Sequence, residues 1–546
     1  MLILASPLII LVAILLIGVH LPHQRLSAVL RLPSHRYAPV VVGIATGAVV
    51  WYVWGSLNAV APVHDEASYL LQARTFASFH WAMPSPALPE FFEQYHAFVT
   101  PTYASKYPPG HGILLVPGIW LSLPGLMPIV LSAIAGALLF LLVRRVANAW
   151  VAMLTVCLWL PTASNLRFRS TYMSETTTSV LWLLGWWALL EWRGSRSHRW
   201  LVVLASCVAW MAITRPLTAV AFAIPIAVVV LLDVAKRRDW HALVRPTLVA
   251  VGILAILPIF NWRTLGDWRR STYDTYARLY IPFDHPGFGT TDAKPERVLP
   301  PDMQEFSKQF VEVHATHTED RLPSIFVNRW RAILTDAFRG WRLPLVLLAL
   351  VGVAMLGIEG WFAVGSALVL TLLYLAYAHP SGWTIYYLEI FPILPFLTAL
   401  GIWTIASTLA MPKVRVGPRL ARELGPRQAL GTALVLLALL WPVSREVRYA
   451  RRFEATIQSY HLDFRQRVAE IPDKRAIVFV RYAPWHNVHT SLIANEPDLP
   501  DARLWVVYDR GPENLKLAAL APDRAVYLYD ENTRALMPIR RTVAGR

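Results

Sequence analysis

Charge is what this chain has least of. Asp, Glu, Lys and Arg make up 16% of its 546 residues, against about 25% in soluble domains. With 55% of residues hydrophobic and a mean hydropathy of +0.43, an ordinary water-soluble globule is excluded. Cysteine is nearly absent too. The two present, Cys157 and Cys207, lie inside apolar stretches, which excludes a disulfide framework or a cysteine metal set and leaves small core residues. The first apolar stretch, Leu2 to Leu21, lacks the basic flank and small-residue cleavage site of a signal peptide, so it reads as a retained span. A net charge of +16 would suggest nucleic acid in a soluble protein. Here the bases mostly sit in short loops between apolar blocks, where the positive-inside rule explains them and a nucleic-acid partner is not needed.

What the chain has is long hydrophobic runs. A span needs roughly 20 mostly apolar residues to cross about 30 Å of hydrocarbon, and such runs recur. They lie at 2–21, 38–60, 125–143, 149–161, 176–192, 200–213, 217–232, 246–262, 343–357, 361–378, 385–410 and 429–443. The expected fold is therefore a polytopic α-helical membrane protein of about a dozen spans, several of them short. Every second loop is basic: Arg25, Arg31 and Arg36; Arg144 and Arg145; Arg193, Arg196 and Arg199; Lys236, Arg237 and Arg238; then Lys413, Arg415, Arg419, Arg422 and Arg427. Those loops are assigned to the cytoplasm, although the loop 358–360 carries no base. Both termini and three polar regions, 61–111, 263–341 and 444–546, then face outside. Domain organisation follows: a membrane core over 1–443 with two outer loops, and a tail over 444–546.

The acids and bases that stand out (Asp65, Glu66, Lys106, Glu175, Arg215, Glu389) all fall in outer loops or at outer span ends. Transporters and pumps usually hold ionisable groups at mid-depth, so this distribution favours a site at one membrane face. The first outer loop opens Val63-His64-Asp65-Glu66-Ala67-Ser68-Tyr69, with Asp65, Tyr69, Gln72 and Phe76 at helical spacing. Asp65 or Glu66 there is either a helix cap or a working carboxylate. The loop closes Ser105-Lys106-Tyr107-Pro108-Pro109-Gly110-His111. Its prolines set the start of a helix and leave donors for an anion, or else Lys106 snorkels beside a belt tyrosine.

Taken in order, these pieces resemble the GT-C glycosyltransferase superfamily, and within it bacterial relatives of the protein O-mannosyltransferases and the lipid A aminoarabinose transferases. The resemblance also rests on Arg144-Arg145 ending a span, on Arg167-Phe168-Arg169-Ser170-Thr171-Tyr172-Met173-Ser174-Glu175 and on Thr214-Arg215-Pro216. Asn261-Trp262-Arg263-Thr264-Leu265-Gly266-Asp267 and Tyr386-Tyr387-Leu388-Glu389-Ile390-Phe391-Pro392 complete it. One departure is the extra span at 2–21, since the Asp-bearing loop of the family usually follows the first span.

The resemblance implies a sugar donor on a polyprenyl phosphate, used on the outer face with inversion at the anomeric carbon. Such a displacement needs a carboxylate for the acceptor's proton and cations for the departing phosphate. Carried over, Asp65 is the catalytic base and Glu66 its orienting or acceptor-binding neighbour. Lys106 and Arg215 are candidates for the phosphate, with Tyr107 and His111 near it, and Arg215 is equally well an interface anchor. Glu175, Tyr387 and Glu389 are candidate sugar-binding or supporting groups. Some members use a divalent cation; no Asp-x-Asp or His/Cys ligand spacing stands out in the first loop, so no metal ligand is assigned.

The loop 263–341, with Tyr273, Tyr276, Tyr280, Asp284 and His285, is an acceptor-binding lid or a packed connector. The tail carries β-rich runs at 475–480, 504–508 and 525–529, the pattern of a small α/β domain, with no Gly-rich phosphate loop after any of them. Its His486, Asn487 and His489 read as structural or acceptor contacts, which gives the tail an accessory role. The expected partners are a polyprenyl-phosphate sugar, a lipid, glycan or protein acceptor, and the bilayer. No Asn-x-Ser/Thr sequon lies in an outer loop, which fits a bacterial inner membrane with a periplasmic site. Two rival functions remain: a transporter or flippase of a lipid-linked saccharide, and an O-antigen ligase or polymerase.

Overall fold

The computed structural model describes residues 2–411 and 415–539; Lys413, counted above among the cytoplasmic bases, lies outside them. Every apolar block falls on a helix or a helix pair, but they are unequal in length. Among the described residues six helices are long and apolar enough to cross a membrane: Leu126–Val146, Pro216–Arg237, Trp240–Leu265, Ile358–Ala376, Ile393–Ala410 and Pro426–Ala469. A seventh is reached if Pro7–His20 and Gln24–Ser34, bent by 97°, form one broken span. The expected dozen is therefore not met by length and composition. The blocks at 149–161 and 200–213 form helices of 11 and 14 residues, about 16 and 21 Å at 1.5 Å per residue, short of the roughly 30 Å of hydrocarbon.

The helices share one large apolar core. Its tightest seam joins Val346–Val353 to Ile393–Ala410, where two glycines face each other's partner backbone. A Cβ on Gly352 would lie 1.9 Å from the Leu397 carbonyl oxygen, and one on Gly401 1.9 Å from that of Leu348. Any side chain here would push the two backbones apart.

The first outer loop folds as the helix His64–Ala77, then a small antiparallel sheet in the order β1-β3-β2 (β1 Met83–Pro84, β2 Ala97–Phe98, β3 Thr102–Ser105), then the helix Pro109–Trp120. The loop 263–341 is mostly helical, with helices Thr272–Tyr280, Pro301–Ala315 and Leu322–Ala337. The long helix Pro426–Ala469 has 44 residues and spans about 66 Å. It runs unbroken through the 443/444 boundary, out of the apolar core and into the tail.

The tail sheet has the order β5-β4-β6-β7 (β4 Ala476–Arg481, β5 Leu504–Tyr508, β6 Ala525–Asp530, β7 Ala535–Pro538). Its first three strands are parallel and β7 is antiparallel. A parallel sheet needs cover on both faces, and this one finds it in the rest of the chain. One face packs Val478, Val480 and Val506 on Phe464 and Val468 of the long helix. The other packs Ile477, Phe479 and Val507 on Leu71, Phe91, Phe92 and Val99 of the first outer loop.

Candidate active site

The site is built where the first outer loop, the loop 263–341 and the outer ends of several helices meet. Val63, not an acid, is the N-cap of His64–Ala77, and it makes no side-chain capping bond. Asp65 in the first turn instead accepts a short hydrogen bond from the Tyr107 hydroxyl. It also lies 3.0 Å from His64 Nδ1 and 3.5 Å from His96 Nε2. Burial works to raise its pKa, but His96, His64 and the Tyr107 hydroxyl more than offset that and hold it well below the usual carboxylate range. Asp65 is therefore an ionised group facing a chamber, not a cap.

Tyr107 is aimed at Asp65 by close packing. Its ring stacks on Tyr69 at 4.4 Å, and its carbonyl accepts from Gln72 Nε2 at 2.6 Å. Gly112 makes this approach of the two helices possible, since a Cβ there would lie 2.4 Å from Gln72 Oε1. Lys106, beside it, is buried at 2% exposure. Its ammonium lies over the rings of Tyr273 and Tyr276 at 4.5 and 4.8 Å and near that of Tyr107 at 5.3 Å. Among the described residues no carboxylate stands within 4 Å of it. Burial lowers its pKa. A desolvated ammonium held by π faces alone is ready for an anion.

The other sequence candidates divide. Glu66 is fully buried and faces away from Asp65, with Oε2 accepting from the Tyr172 amide at 2.9 Å; burial raises its pKa well above the usual value. His111 is also committed, with Nδ1 2.8 Å from Thr177 Oγ1 and Nε2 2.8 Å from the Tyr172 carbonyl oxygen. The Gly110 amide donates to the Ile213 carbonyl at 2.8 Å, so it is not the free anion donor that the Pro-Pro turn suggested. Arg215 is bound to Glu175 and donates to the Tyr374 hydroxyl at 2.9 Å. Glu389 accepts from Thr178 at 2.5 Å and keeps a buried Oε2 without a partner. Tyr387 is turned into the core, 3.0 Å from His379 Nε2. Its neighbour Tyr386 faces Arg215 instead, 5.4 Å away. The block at 385–410 is α-helical only from Ile393: Thr384–Tyr387 is a 3-10 turn, and Pro392 caps the helix and disfavours α-helix in the residue before it.

Several site residues are ones the sequence left as lid, connector or acceptor contacts, or, like Tyr377 and His96, did not single out. Tyr273 and Tyr377 meet at 3.2 Å through their hydroxyls and wall the chamber with Tyr276 and Tyr386. His489 of the tail stands 5.7 Å from His64, ring to ring, which brings the tail to the site. His64, Asp65 and His96 place one ligand atom each within 4.8 Å of one another. His64 Nε2 and His96 Nδ1 are buried without a hydrogen bond, while His64 Nδ1 is paired with Asp65. Two imidazoles and a carboxylate with unused nitrogens suit a divalent cation such as zinc. A linear search for close ligand spacing misses the set, because His96 comes 31 positions after Asp65.

No protein-family model matches the sequence, and no curated protein is significantly similar to it. Solved structures are similar in fold. ArnT from Cupriavidus metallidurans bound to undecaprenyl phosphate superposes with a TM-score of 0.53 at 13% identity, covering 94% of this chain and all of that one. The same protein in its apo state gives 0.48 at 13% identity, over 90% of this chain and 93% of that one. The archaeal oligosaccharyltransferase AglB from Archaeoglobus fulgidus gives 0.36 at 11% identity, over 82% and 62%. The first of these establishes the fold: the chain is folded like ArnT from Cupriavidus metallidurans over nearly its whole length.

Proposed function

We propose that this chain is a glycosyltransferase that moves a sugar from a polyprenyl-phosphate donor to a hydroxyl of a lipid, glycan or protein on the outer membrane face, with inversion. The observation that carries this reading is the pairing of Asp65 with Lys106. An ionised carboxylate and a buried ammonium without a close counter-ion share one aromatic chamber, on a fold shared with a protein bound to undecaprenyl phosphate. Lys106 receives the donor phosphate and stabilises it as it leaves. Arg215, neutralised by Glu175, supports the wall rather than the phosphate. Asp65 takes the proton of the attacking hydroxyl, and a single displacement inverts the anomeric centre.

A groove between the helices Leu126–Val146, Glu175–Ser195, Ile358–Leu373 and Ile393–Ala410 encloses about 640 Å³, including its open side. Its lining includes Glu389, Trp182, Trp186, Phe396 and Val146. Its apolar walls suit the isoprenoid tail of the donor. His64, Asp65 and His96 would hold a divalent cation, which would supply Lewis acidity beside the acceptor hydroxyl.

The test is to incubate the purified protein with a radiolabelled polyprenyl-phosphate sugar and total membrane lipid, or with periplasmic extract. Label appearing in a new product with release of the polyprenyl phosphate is expected. Label that crosses vesicle membranes with no new bond would favour a flippase and sink the transfer reading. Orientation is tested separately: a C-terminal alkaline phosphatase fusion should be active in a bacterial host, and a green fluorescent protein fusion dark.

A further inference from the structure

The loop 263–341 carries a buried carboxylate that the proposed reaction does not use. Asp284 is 6% exposed, and its Oδ1 has no hydrogen-bond partner. Opposite it stands His314 on the helix Pro301–Ala315. That ring is fully buried, lies with Nε2 4.0 Å from Asp284 Oδ1, and leaves both nitrogens without a hydrogen bond. Buried polar atoms are nearly always satisfied, so three unused ones in a single cluster mark a place where a partner is expected. The segment around Asp284 is not loose. The Asp284 amide donates to Ile281, the Gly287 amide to Ala376 and the Gly289 amide to His317, each at 2.8 Å.

The segment borders the chamber: the Gly287 amide donates to the carbonyl of Ala376, next to Tyr377, whose hydroxyl meets that of Tyr273 at 3.2 Å, and the charges of Asp284 and Lys106 bear on each other. Yet no carboxylate oxygen lies within 4 Å of the Lys106 ammonium among the described residues, so Asp284 is not simply its counter-ion. A carboxyl oxygen without a partner accepts hydrogen bonds. What it takes is a group bearing O–H or N–H, and the tyrosine walls suit the rest of such a ligand, since binding pockets pair apolar and aromatic walls with a few placed polar groups.

We propose that Asp284, backed by His314, reads the hydrogen-bond donors of the transferred sugar while Lys106 holds the phosphate of the same donor. This assignment rests on the proposed function and makes the loop 263–341 the element that selects the sugar. Titration calorimetry on the full-length protein in nanodiscs separates the two. The probes are undecaprenyl phosphate alone and undecaprenyl phosphate carrying a neutral hexose, a neutral pentose or an aminopentose.

The wild type should bind the bare lipid phosphate, and bind one of the sugar-bearing lipids about tenfold more tightly. A preferred aminopentose would mean that Asp284 reads an ammonium, and a preferred neutral sugar that it reads hydroxyls. Asp284→Ala should erase the tenfold preference and keep bare lipid phosphate within about twofold. Asp284→Asn, of the same shape, carries the test if the alanine variant does not hold the bare lipid phosphate. A preference that survives in the Asn variant, an equal loss on both ligands, or no sugar preference in the wild type overturns the assignment. A wild type that binds no lipid phosphate at all overturns the proposed function instead.

Discussion

At the scale of the residue, the sequence could place Asp65 but not give it a role. An acid in the first turn of a helix serves equally as a cap and as a base. The structure separates the two, because Val63 is the cap and Asp65 is turned to Tyr107. Asp65→Asn, which keeps the shape, should retain insertion and donor binding and lose transfer by about 10²–10⁴-fold. Transfer within a few-fold of wild type would leave the base to be sought elsewhere. Lys106→Met keeps the apolar stem and removes the charge. It should weaken undecaprenyl phosphate binding by roughly ten- to hundredfold, the worth of one hydrogen bond to a charged group at about 1.5–3 kcal/mol. Unchanged affinity, measured by calorimetry, would reduce Lys106 to an interface anchor. The motif Tyr386-Tyr387 shows the limit at this scale. Both tyrosines are equally visible in the sequence, yet Tyr386 faces Arg215 and Tyr387 meets His379. The stretch is irregular, so no periodicity assigns a face.

At the scale of the element, apolar runs located the helices well and left the number of spans open. Composition reports that a segment avoids water; it does not report whether the segment reaches across the bilayer or packs as a short helix among longer ones. The 11-residue helix Ala149–Trp159 is such a case, with most of its side chains buried against neighbouring helices. Helix approach is equally silent in sequence, because a glycine in an apolar run looks alike whether or not a backbone crosses it. Gly401→Ala should lower the thermal stability of the solubilised protein, by the ~1–3 kcal/mol typical of overpacking, since the Leu348 carbonyl blocks the new methyl. Gly365→Ala, on the helix Ile358–Leu373 with nothing within 4 Å of its Cβ, should be neutral or slightly stabilising. Equal melting curves for the two variants would mean that the seam at Gly352 and Gly401 is not tight.

At the scale of the whole molecule, the tail is less separable than its composition suggests. Its sheet completes a core with Phe91, Phe92 and Val99 of the first outer loop, and Arg74 pairs with Glu496 across the same contact at 2.9 Å. A chain ended after Ala469 should therefore lose order in the first outer loop as well. Limited proteolysis should cut between Phe79 and Ser105 far faster than in the full chain, with undecaprenyl phosphate binding lost in parallel. A protease-resistant loop in the shortened chain would restore the view of the tail as an independent accessory. By itself the sequence determined what local chemistry determines: membrane residence from apolar runs, the helices from their periodicity, and the order of motifs that carries the GT-C resemblance. It also placed Asp65 and Lys106 at the two ends of one loop. The tertiary structure alone decided which acids face the chamber and which are spent on Tyr172 or Arg215. It alone joined His64, His96 and His489 into one cluster and set Asp284 against His314. Those are contacts between residues far apart in the chain, and no local pattern encodes them, because they arise from how whole elements stack against one another.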